Sequence, residues 1–477
     1  MKKITFFGVI GVVLLVGGCM LAPEYTRPDA PISDAWPTGA AYANPSDIET
    51  ADSATNLTWR EFFPDPKMQH VISTALTNNL DLRLAALNVE RARALYGIQR
   101  AELYPSIGVT GGGSKQRSSS DLTAPGEPRT TKQFNANVGM IAWEIDFFGR
   151  IRSLKERALQ EYLATEEARR SAQIAMVAEV ARVYLTLAAD RENLHLAQVT
   201  LETQQGAYDL IRRQYDLGVS TELDLRRSQT QVDTAKRNMA IYTQQVAQDQ
   251  NALNLLAGSP LPEDLLPENL TGVIPPRELS PGLSSEILLN RPDILAAENR
   301  LKGAYARIGA ARAAFFPRIS LTTAFGFASD ELSGLFGNGT DTWSFAPQIS
   351  MPIFDARTWA AYRVSKADRK IALTQYEKSI QTAFREVADS LAVRGTVDRQ
   401  IAAHQSMMES AQKVVELSSA RYAQGIDSYL SVLDAQRSLY SAQQGLIFLH
   451  LTRQINQVRL YAVLGGGGGL DTTKPSE

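Results

Sequence analysis

The sequence contains very few of the residues that build metal centres and active sites. Its 477 residues include one cysteine, so the chain cannot form an internal disulfide or a cysteine-based metal cluster. The four histidines lie in separate predicted helices, without paired carboxylates: His70, His195, His404 and His450. The glycine run 465–469 lacks the Lys-Ser/Thr and the helix of a phosphate loop. We therefore expect no catalytic residues, no metal site and no bound cofactor, and a cell-wall enzyme is disfavoured.

An excess of charge and long internal apolar runs are also missing. The 49 basic residues nearly balance the 51 acidic ones, for a net charge of −2. Nucleic-acid binding requires a basic surface, so that class of protein is excluded. No internal run reaches the roughly 18 apolar residues of a membrane-spanning helix, which excludes a polytopic inner-membrane protein.

The N-terminus has the pattern of a cleaved export signal. Lys2 and Lys3 precede an apolar run of 13 residues, 4–16, which is too short to span a bilayer. The run ends in Gly17-Gly18-Cys19, which resembles a bacterial lipobox. We therefore expect residues 1–18 to be removed and Cys19 to carry a diacylglycerol and palmitate as the lipid anchor. The alternative is an ordinary signal peptide followed by a buried free cysteine. Because residue 20 is Met rather than Asp, sorting to the outer membrane is expected.

The sequence is a tandem duplication. Three pairs of matching positions are 207 residues apart: Gly218 and Gly425, Gln229 and Gln436, Gly258 and Gly465. Two further pairs lie at nearly the same offset: Phe148 with Phe354, and Pro105 with Pro317. Several matches at one offset are not expected by chance, so each half should fold as one structural repeat.

Each repeat has the same predicted order of elements, a mixed α/β arrangement. Helices are predicted at 67–104 and 284–316, β-hairpins at 106–146 and 318–354, long helices at 150–217 and 357–424, and return helices at 221–257 and 428–464. The predicted domains are a lipidated segment 19–66, a first repeat 67–257, a proline-rich linker 258–283, a second repeat 284–464 and a flexible, glycine-rich tail 465–477.

The hairpins have one apolar and one polar face. In the second hairpin the apolar positions are Ile319, Leu321, Phe325, Phe327, Trp343, Phe345, Ile349, Met351 and Ile353. Ser, Thr, Ala, Gly and Gln occupy the positions between them, as in an outer-membrane barrel with lipid outside and a lumen inside. Four strands cannot close a barrel, and open edges are not tolerated in lipid. The chain must therefore oligomerise, and three copies fit an open lumen better than two.

A helix as long as 150–217 must bury an apolar stripe along its length. Residues 174–188 show such a stripe, at Ile174, Val177, Val180, Ala181, Tyr184, Leu187 and Ala188. Stripes of this kind pack antiparallel helices in coiled-coil fashion. A rod-like coiled-coil dimer is the alternative, and the hairpins disfavour it.

Aromatic residues lie at all four junctions between strands and helices. They are Tyr104, Phe147, Phe148, Phe315, Phe316 and Phe354. Aromatic rings prefer the headgroup zone, which favours an interfacial girdle. Packing of the bend between helix and strand explains them equally well, and the two roles are compatible.

Several motifs together resemble the TolC family of outer-membrane efflux proteins, in particular the lipoprotein branch typified by OprM. The motifs are the lipobox and the segments 59–66 (WREFFPDP), 79–83 (NLDLR), 143–152 (WEIDFFGRIR), 284–293 (SSEILLNRPD), 308–317 (IGAARAAFFP) and 429–436 (YLSVLDAQ). The resemblance covers nearly the whole chain from Cys19 to about Leu464. It implies a homotrimer with a 12-stranded outer-membrane β-barrel continued by a 12-helix periplasmic α-barrel. It further implies a periplasmic membrane-fusion adaptor and an inner-membrane transporter of the resistance-nodulation-division type as partners.

The helix turns at the predicted tips are the candidate contacts for an adaptor. Glycine adopts φ > 0 at little cost, which suits the tight turns at Gly218-Val219 and Gly425-Ile426-Asp427. Asp427 is also a candidate N-cap for the helix that follows. This makes it a weaker candidate for a periplasmic gate residue.

The resemblance also places a periplasmic gate at the second tip, on Leu430 and Asp434. These residues share one helix face because they are four apart. In a trimer they would form an apolar ring and an acidic ring. Ordinary packing of Leu430 and a solvated Asp434 are the alternatives.

The sequence therefore predicts a passive outer-membrane export duct of a multidrug efflux pump. Metal-ion efflux and type I protein secretion are alternative cargoes of the same duct. A structural lipoprotein scaffold that conducts nothing is the alternative of a different class.

Overall fold

A computed structural model describes residues 20–42, 52–53, 57–280 and 284–466. The predicted signal peptide, Cys19 and residues 467–477 of the predicted tail lie outside the described residues. The chain divides into two compact units. The first contains the residues up to Asp29, 88–166 and 296–376, and the second contains 30–87, 167–295 and the residues from Glu377 onward.

Eight α-helices lie within the described residues: α1 (Trp59–Phe62), α2 (Pro66–Asn78), α3 (Leu80–Ala101), α4 (Arg150–Asp216), α5 (Glu222–Ala257), α6 (Pro292–Ala313), α7 (Ala356–Ala423) and α8 (Tyr429–Val463). The helices α4 and α7 have 67 and 68 residues. At 1.5 Å rise per residue each is about 100 Å long. Helices of this length agree with the fold class that the sequence predicts.

Six strands form two sheets among these residues: β1 (Asp52–Ser53), β2 (Ile107–Arg117), β3 (Thr130–Ile145), β4 (Leu279–Ser280), β5 (Arg318–Ser329) and β6 (Asp341–Ser350). β1 and β4 form a short parallel pair. The other four strands form one antiparallel sheet in the order β2-β3-β5-β6, so the two hairpins are joined through β3 and β5. β6 ends at Ser350, before Met351 and Ile353, which the alternation had included.

The register of the four-stranded sheet places its apolar side chains on one face. That face, called here the apolar face, carries Ile107, Val109, Phe134, Val138, Met140, Trp143, Ile145, Ile319, Leu321, Phe325, Phe327, Trp343, Phe345 and Ile349. The opposite face carries small and polar residues, among them Thr110, Asn135, Asn137, Ser320, Thr322, Ser344 and Gln348. Paired residues in an antiparallel sheet share a face, so the alternation in the sequence becomes a two-faced sheet.

A β-bulge keeps this alternation in phase along β3. Met140 pairs with Thr323, but the next paired residue is Trp143, opposite Leu321. Ala142 in the bulge has φ 49°, and its N–H donates to Thr322 Oγ1 at 3.1 Å. The extra residue lets Met140 and Trp143 lie on the same face although their numbers differ in parity.

The helix predicted at 67–104 is interrupted at Asn79. Asn79 has ψ 130° and leaves the helical conformation. Its Oδ1 accepts from the N–H groups of Asp81 and Leu82 at 2.9 and 3.1 Å, which caps α3. Its side-chain amide donates to the carbonyl of Leu256 at 3.0 Å. The asparagine side chain thus bonds to backbone groups that would otherwise take part in a continuous helix. The one predicted helix is therefore two helices, α2 and α3.

The helix predicted at 284–316 likewise begins later. Residues 285–290 form a 3₁₀ helix, and α6 starts at Pro292. Proline suits the first helical position, and it disfavours a helical conformation for the residue before it.

The predicted stripe of α4 is buried in the second unit. All seven of its residues are at most 7% exposed, and Tyr184 donates its hydroxyl to the carbonyl of Leu265 at 3.3 Å. Met176, Val183, Leu185 and Ala189 are also buried, so the buried surface is wider than a single stripe. An 18-residue part of α4 is apolar enough to cross a membrane by composition, but 61% of it is buried inside the protein.

The linker between the repeats is packed into the second unit rather than free. Leu266, Leu270 and Val273 are at most 5% exposed. Arg191 donates to the carbonyl of Pro267 at 2.9 Å, and the N–H of Leu270 donates to Glu192 at 3.0 Å. In the same unit Phe62 stacks on Tyr461 with ring centroids 4.4 Å apart.

Candidate functional site

The two helix turns at Gly218 and Gly425 have the same backbone geometry. The glycines have φ 74° and 73°, in the left-handed region. After Gly218, the N–H of Val219 donates to the carbonyl of Gln214 at 2.8 Å; after Gly425, the N–H of Ile426 donates to that of Arg421 at 3.0 Å. These six-to-one bonds satisfy carbonyls at the ends of α4 and α7. Duplicated sequence thus gives duplicated turns.

Both turns present apolar side chains to the outside. Val219 is 77% exposed and Ile426 is 56% exposed, and Leu217 beside the first turn is 79% exposed. Exposed apolar residues at neighbouring positions are typical of surfaces that contact another protein.

Asp427 does not have the N-cap role that its position suggested. The N-cap of α8 is Ser428, whose side chain makes no capping bond. The Asp427 carboxylate instead accepts from Arg421 Nε at 2.6 Å and from Nη2 at 3.2 Å. These bonds from Arg421 hold the pKa of Asp427 below its ordinary value. The pair closes the turn, because Arg421 lies on one side of Gly425 and Asp427 on the other.

One face of α8 packs into a small core next to the second turn. Tyr429, Val432 and Leu433 are at most 6% exposed and pack with Ile211 of α4. The ring of Tyr422 lies 5.2 Å from that of Tyr429. Burial raises the pKa of Tyr429 to about 12, so this phenol stays neutral. The core ties the start of α8 to α4.

Leu430 and Asp434 lie outside this core, on the exposed side of α8. Leu430 is 39% exposed, and the Asp434 carboxylate is 54% exposed and forms an ion pair with Arg437. Positions 430, 434 and 437 follow one another at four- and three-residue steps, so all three side chains share one exposed stripe. The stripe carries an apolar, an acidic and a basic side chain in turn.

Three glutamines and a tyrosine add hydrogen bonds between the repeats near the second turn. Gln204 Nε2 donates to Gln436 Oε1 at 3.0 Å, and the Tyr422 hydroxyl donates to Gln214 Oε1 at 3.4 Å. The sequence analysis singled out Gln436 as a repeat position but did not predict these hydrogen bonds, and it did not single out Arg421 or Arg437. The spacing of Arg437, three residues after Asp434, is a signal for an ion pair. Nothing in the sequence pairs Gln204 with Gln436, 232 residues away.

At the junctions between strands and helices, the aromatic residues divide into two groups. Phe148 stacks on Phe316 with centroids 4.8 Å apart, and Phe315 meets Trp359 edge-on at 4.8 Å. Trp359 is a member of this group that the sequence analysis missed. Tyr104, Phe147 and Phe354 are 68%, 37% and 91% exposed. The first group therefore packs the bend between helix and strand. The second group is exposed, as an interfacial girdle requires.

An ion-pair cluster lies at the same junction. The Glu144 carboxylate pairs with Arg150 at 2.8 Å and with Arg318 at 2.9 Å, beside a cavity of about 210 Å³. Glu144 pairs in register with Ser320, on the polar face of the sheet. The polar face thus ends in charged residues where the helices begin.

The described residues contain no group of three His, Cys, Asp or Glu side chains that could hold a metal ion. Cys19, the candidate lipidation site, lies outside them.

Comparison with known proteins gives consistent matches over nearly the whole chain. The family described as outer membrane efflux protein matches twice, at residues 71–259 and 283–466, once for each repeat. The solvent efflux pump outer membrane protein SrpC of Pseudomonas putida is 46% identical over 457 residues, which cover 95% of this chain and 97% of that protein. The antibiotic efflux pump outer membrane protein ArpC of the same species is 46% identical over 455 residues, covering 95% and 93%.

A solved structure has the same fold. The open state of the MtrE outer membrane channel of Neisseria gonorrhoeae superposes with a TM-score of 0.84 at 36% identity. The match covers 96% of this chain and 100% of that one.

Proposed function

The chain belongs to the outer membrane efflux protein family, and on that premise we propose that three copies form the export duct of a tripartite pump for organic solvents and antibiotics. The protein is an outer-membrane component of an efflux pump and not an enzyme. Its assembly, its cargo, its partners and its gate are the parts that we infer.

The edges of the four-stranded sheet support assembly from several copies. β2 and β6 are the edge strands, and both are exposed along their whole length. Unpaired backbone groups are not tolerated in lipid, so these edges need strands from other copies. Two copies would give eight strands, and three would give twelve. A twelve-stranded barrel leaves an open lumen, which the small and polar residues of the second face would line.

The cargo is inferred from the relatives. The names of SrpC and ArpC refer to solvents and to antibiotics. We expect this duct to carry organic molecules of the same kind. Metal ions and secreted proteins remain the alternative cargoes. Membership of an efflux family disfavours the alternative of a structural lipoprotein scaffold that conducts nothing.

The partners are expected at the two helix turns. A periplasmic membrane-fusion adaptor would contact the exposed apolar side chains at Leu217, Val219 and Ile426. Gly218, Gly425 and Asp427 would set the shape of the contact surface. An inner-membrane transporter of the resistance-nodulation-division class would then supply the energy, since the duct has no energy source of its own.

The gate is the exposed stripe of α8. Three copies of Leu430 would form an apolar constriction, which resists wetting, and three copies of Asp434 would form an acidic ring next to it. The observation that carries this proposal is the position of both side chains on the exposed side of α8, outside its core.

Planar-bilayer conductance tests the gate. Leu430→Ala and Asp434→Ala should each raise single-channel conductance several-fold, because each removes one ring of the constriction. Leu417→Ala and Asp233→Ala are matched controls, since they remove an exposed leucine and an exposed aspartate that are not part of the stripe of α8. Equal conductance in the wild type and both gate variants would refute the gate.

We also infer that Cys19 carries the lipid anchor. Intact mass spectrometry of the mature protein should find Cys19 as the first residue with a diacylglycerol and an acyl chain. A mature chain that begins after Cys19, or an unmodified Cys19, would refute the anchor.

A further inference from the structure

Two lysines face each other across the first hairpin. Lys115 of β2 is directly opposite Lys132 of β3. Both side chains are exposed, and neither forms an ion pair within the part of the chain that the structure describes. Like charges directly opposite each other destabilise an antiparallel pair. An anion bound between them would remove that cost.

The lysine pair lies on the apolar face of the sheet. Side chains of β2 alternate in direction, so Lys115 shares the face of Ile107 and Val109. The eight residue-to-residue steps from Ile107 to Lys115 span about 26 Å along the strand. The apolar band of an outer-membrane barrel is about 25 Å tall, and tilt shortens the rise of the strand. With Ile107 beside the junction aromatics, Lys115 and Lys132 lie near the opposite headgroup layer.

An open cavity of about 860 Å³ lies over the two lysines. Lys115 and Lys132 line one side of it together with the ring of Phe134. A Cβ at Gly113 would lie 2.8 Å from this ring, so glycine is what lets Phe134 lie across the strand. Asp330 and Glu331 of the second hairpin line the other side. These carboxylates repel an anion and confine it to the lysine side.

Apolar side chains continue the cavity outward. Leu332 lines it and is 65% exposed, and Phe336 of the same loop is 72% exposed. Arg117 lies two residues beyond Lys115 on the same strand face. The surface therefore combines cations at headgroup depth with an aromatic ring and exposed apolar groups. Such a combination fits an amphiphile with a negatively charged head better than it fits a free ion.

We propose that Lys115 and Lys132 form a binding site for the phosphate of an anionic phospholipid or glycolipid in the outer leaflet, with Phe134 and Leu332 in contact with its apolar part. In the outer membrane the phosphate-bearing lipid of that leaflet is the lipid A part of lipopolysaccharide. The site depends on insertion of the hairpins in the outer membrane and on neither the gate nor the cargo.

Native mass spectrometry of the assembled, full-length protein tests the site, with bisphosphorylated lipid A as the probe. The wild type should bind this lipid about 100-fold more tightly than Lys115→Gln/Lys132→Gln, since each charge-assisted contact contributes about a factor of ten. Lys115→Arg/Lys132→Arg keeps both charges and should retain binding. Lys236→Gln/Lys370→Gln removes two exposed helix lysines and should bind as the wild type does. If the double glutamine variant does not assemble, Lys115→Gln alone should lose about tenfold.

Two further arms identify the ligand chemistry. Dephosphorylated lipid A should bind the wild type as weakly as the phosphorylated lipid binds the glutamine variant. Inorganic phosphate at the same concentration should not displace the lipid; displacement would show a site for free phosphate and overturn the proposal. Undiminished lipid binding in the glutamine variant would also overturn it. Single-channel conductance of the same samples separates this result from any failure of the duct, since the lysine variants should conduct as the wild type does.

Discussion

Single atoms decide how closely the helices of the second repeat approach each other. The Nε2 of His404 on α7 lies 2.9 Å from the carbonyl oxygen of Ala442 on α8. A carbonyl only accepts, so the ring donates from Nε2. The ring lies where a Cβ on Gly445 would be. A glycine inside a helix costs stability, and here it makes room for a hydrogen bond between helices.

We predict that Gly445→Ala lowers the free energy of unfolding by about 1 to 3 kcal/mol, because the added methyl overlaps the His404 ring and breaks its bond to Ala442. Thermal unfolding followed by circular dichroism measures the change. Gly206→Ala is the control, since nothing lies within 4 Å of a Cβ there; it should leave stability unchanged or raise it by up to about 1 kcal/mol. Equal melting temperatures in both variants would contradict the packing role of Gly445.

Two carboxyl groups lie together between α4 and α5. Burial, and then the charge of Asp249, raise the pKa of Asp190 from its ordinary value of 3.8 to about 7. Burial also raises the pKa of Asp249, against the opposing charge of Arg182. One Oδ of Asp249 is buried and has no other hydrogen-bond partner, so a proton shared with Asp190 reduces the charge of the buried pair from −2 to −1.

The raised pKa of Asp190 predicts lower stability at higher pH. The folded chain binds more protons than the unfolded chain between about pH 4 and pH 7, so stability falls as the pH rises through that window. Asp190→Asn removes the repulsion and should unfold at a higher temperature than the wild type at pH 8. That advantage should shrink toward pH 4. Melting curves at both pH values measure it, with Asp209→Asn, an exposed site on the same helix, as a control that should follow the wild type. An advantage of the same size at both pH values would contradict the shared proton.

At the scale of elements, α8 shows how one helix serves two purposes. Its buried face holds Tyr429, Val432 and Leu433 against α4, and its exposed face presents Leu430, Asp434 and Arg437. The buried face fixes the direction in which the exposed face points. A side chain on the exposed face can therefore be changed without disturbing the core below it.

Arg437→Ala should change the gate while leaving the helix folded. Arg437 neutralises Asp434, and without it three carboxylates in a ring would repel one another and widen the constriction. We expect a several-fold higher conductance at 50 mM salt and a smaller effect at 1 M salt, because salt screens the repulsion. Arg437→Ala/Asp434→Asn should lose this salt dependence. A conductance gain that is the same at both salt concentrations would show that charge repulsion is not its cause.

The bounds of the elements show what the sequence predicts well. Turns at Gly218 and Gly425 ended the long helices within two residues of their predicted ends, because a left-handed glycine stops a helix locally. The start of α6 and the break at Asn79 were missed. Asn79 caps α3 while its side chain also bonds to Leu256, 177 residues away, and a local pattern does not contain that partner.

At the scale of the whole molecule, the two faces of the four-stranded sheet define its relation to the membrane. We infer that lipid contacts the apolar face and that the lumen lies on the other side. Adjacent residues of β6, Ser344 and Phe345, point to opposite faces and are both exposed.

Phe345→Arg and Ser344→Arg should therefore differ in assembly. An arginine in the lipid-facing band costs about 2 to 4 kcal/mol near the bilayer centre, whereas an arginine in the lumen stays hydrated. We expect Phe345→Arg to reduce the heat-modifiable oligomer in purified outer membranes several-fold and Ser344→Arg to leave it near the wild-type amount. The reverse order would show that the faces are assigned the wrong way round.

The sequence by itself determined the duplication, the long helices, the glycine turns and the alternation of the hairpins. Each of these is a local pattern, and helical periodicity, left-handed glycine and strand alternation act within a few residues. Tertiary structure decided the pairing of β3 with β5, the packing of the linker, the hydrogen bond between Gln204 and Gln436, and the cavity that the lysine pair shares with the second hairpin. These features join residues far apart in the chain, so they exist only once packing has brought their elements together.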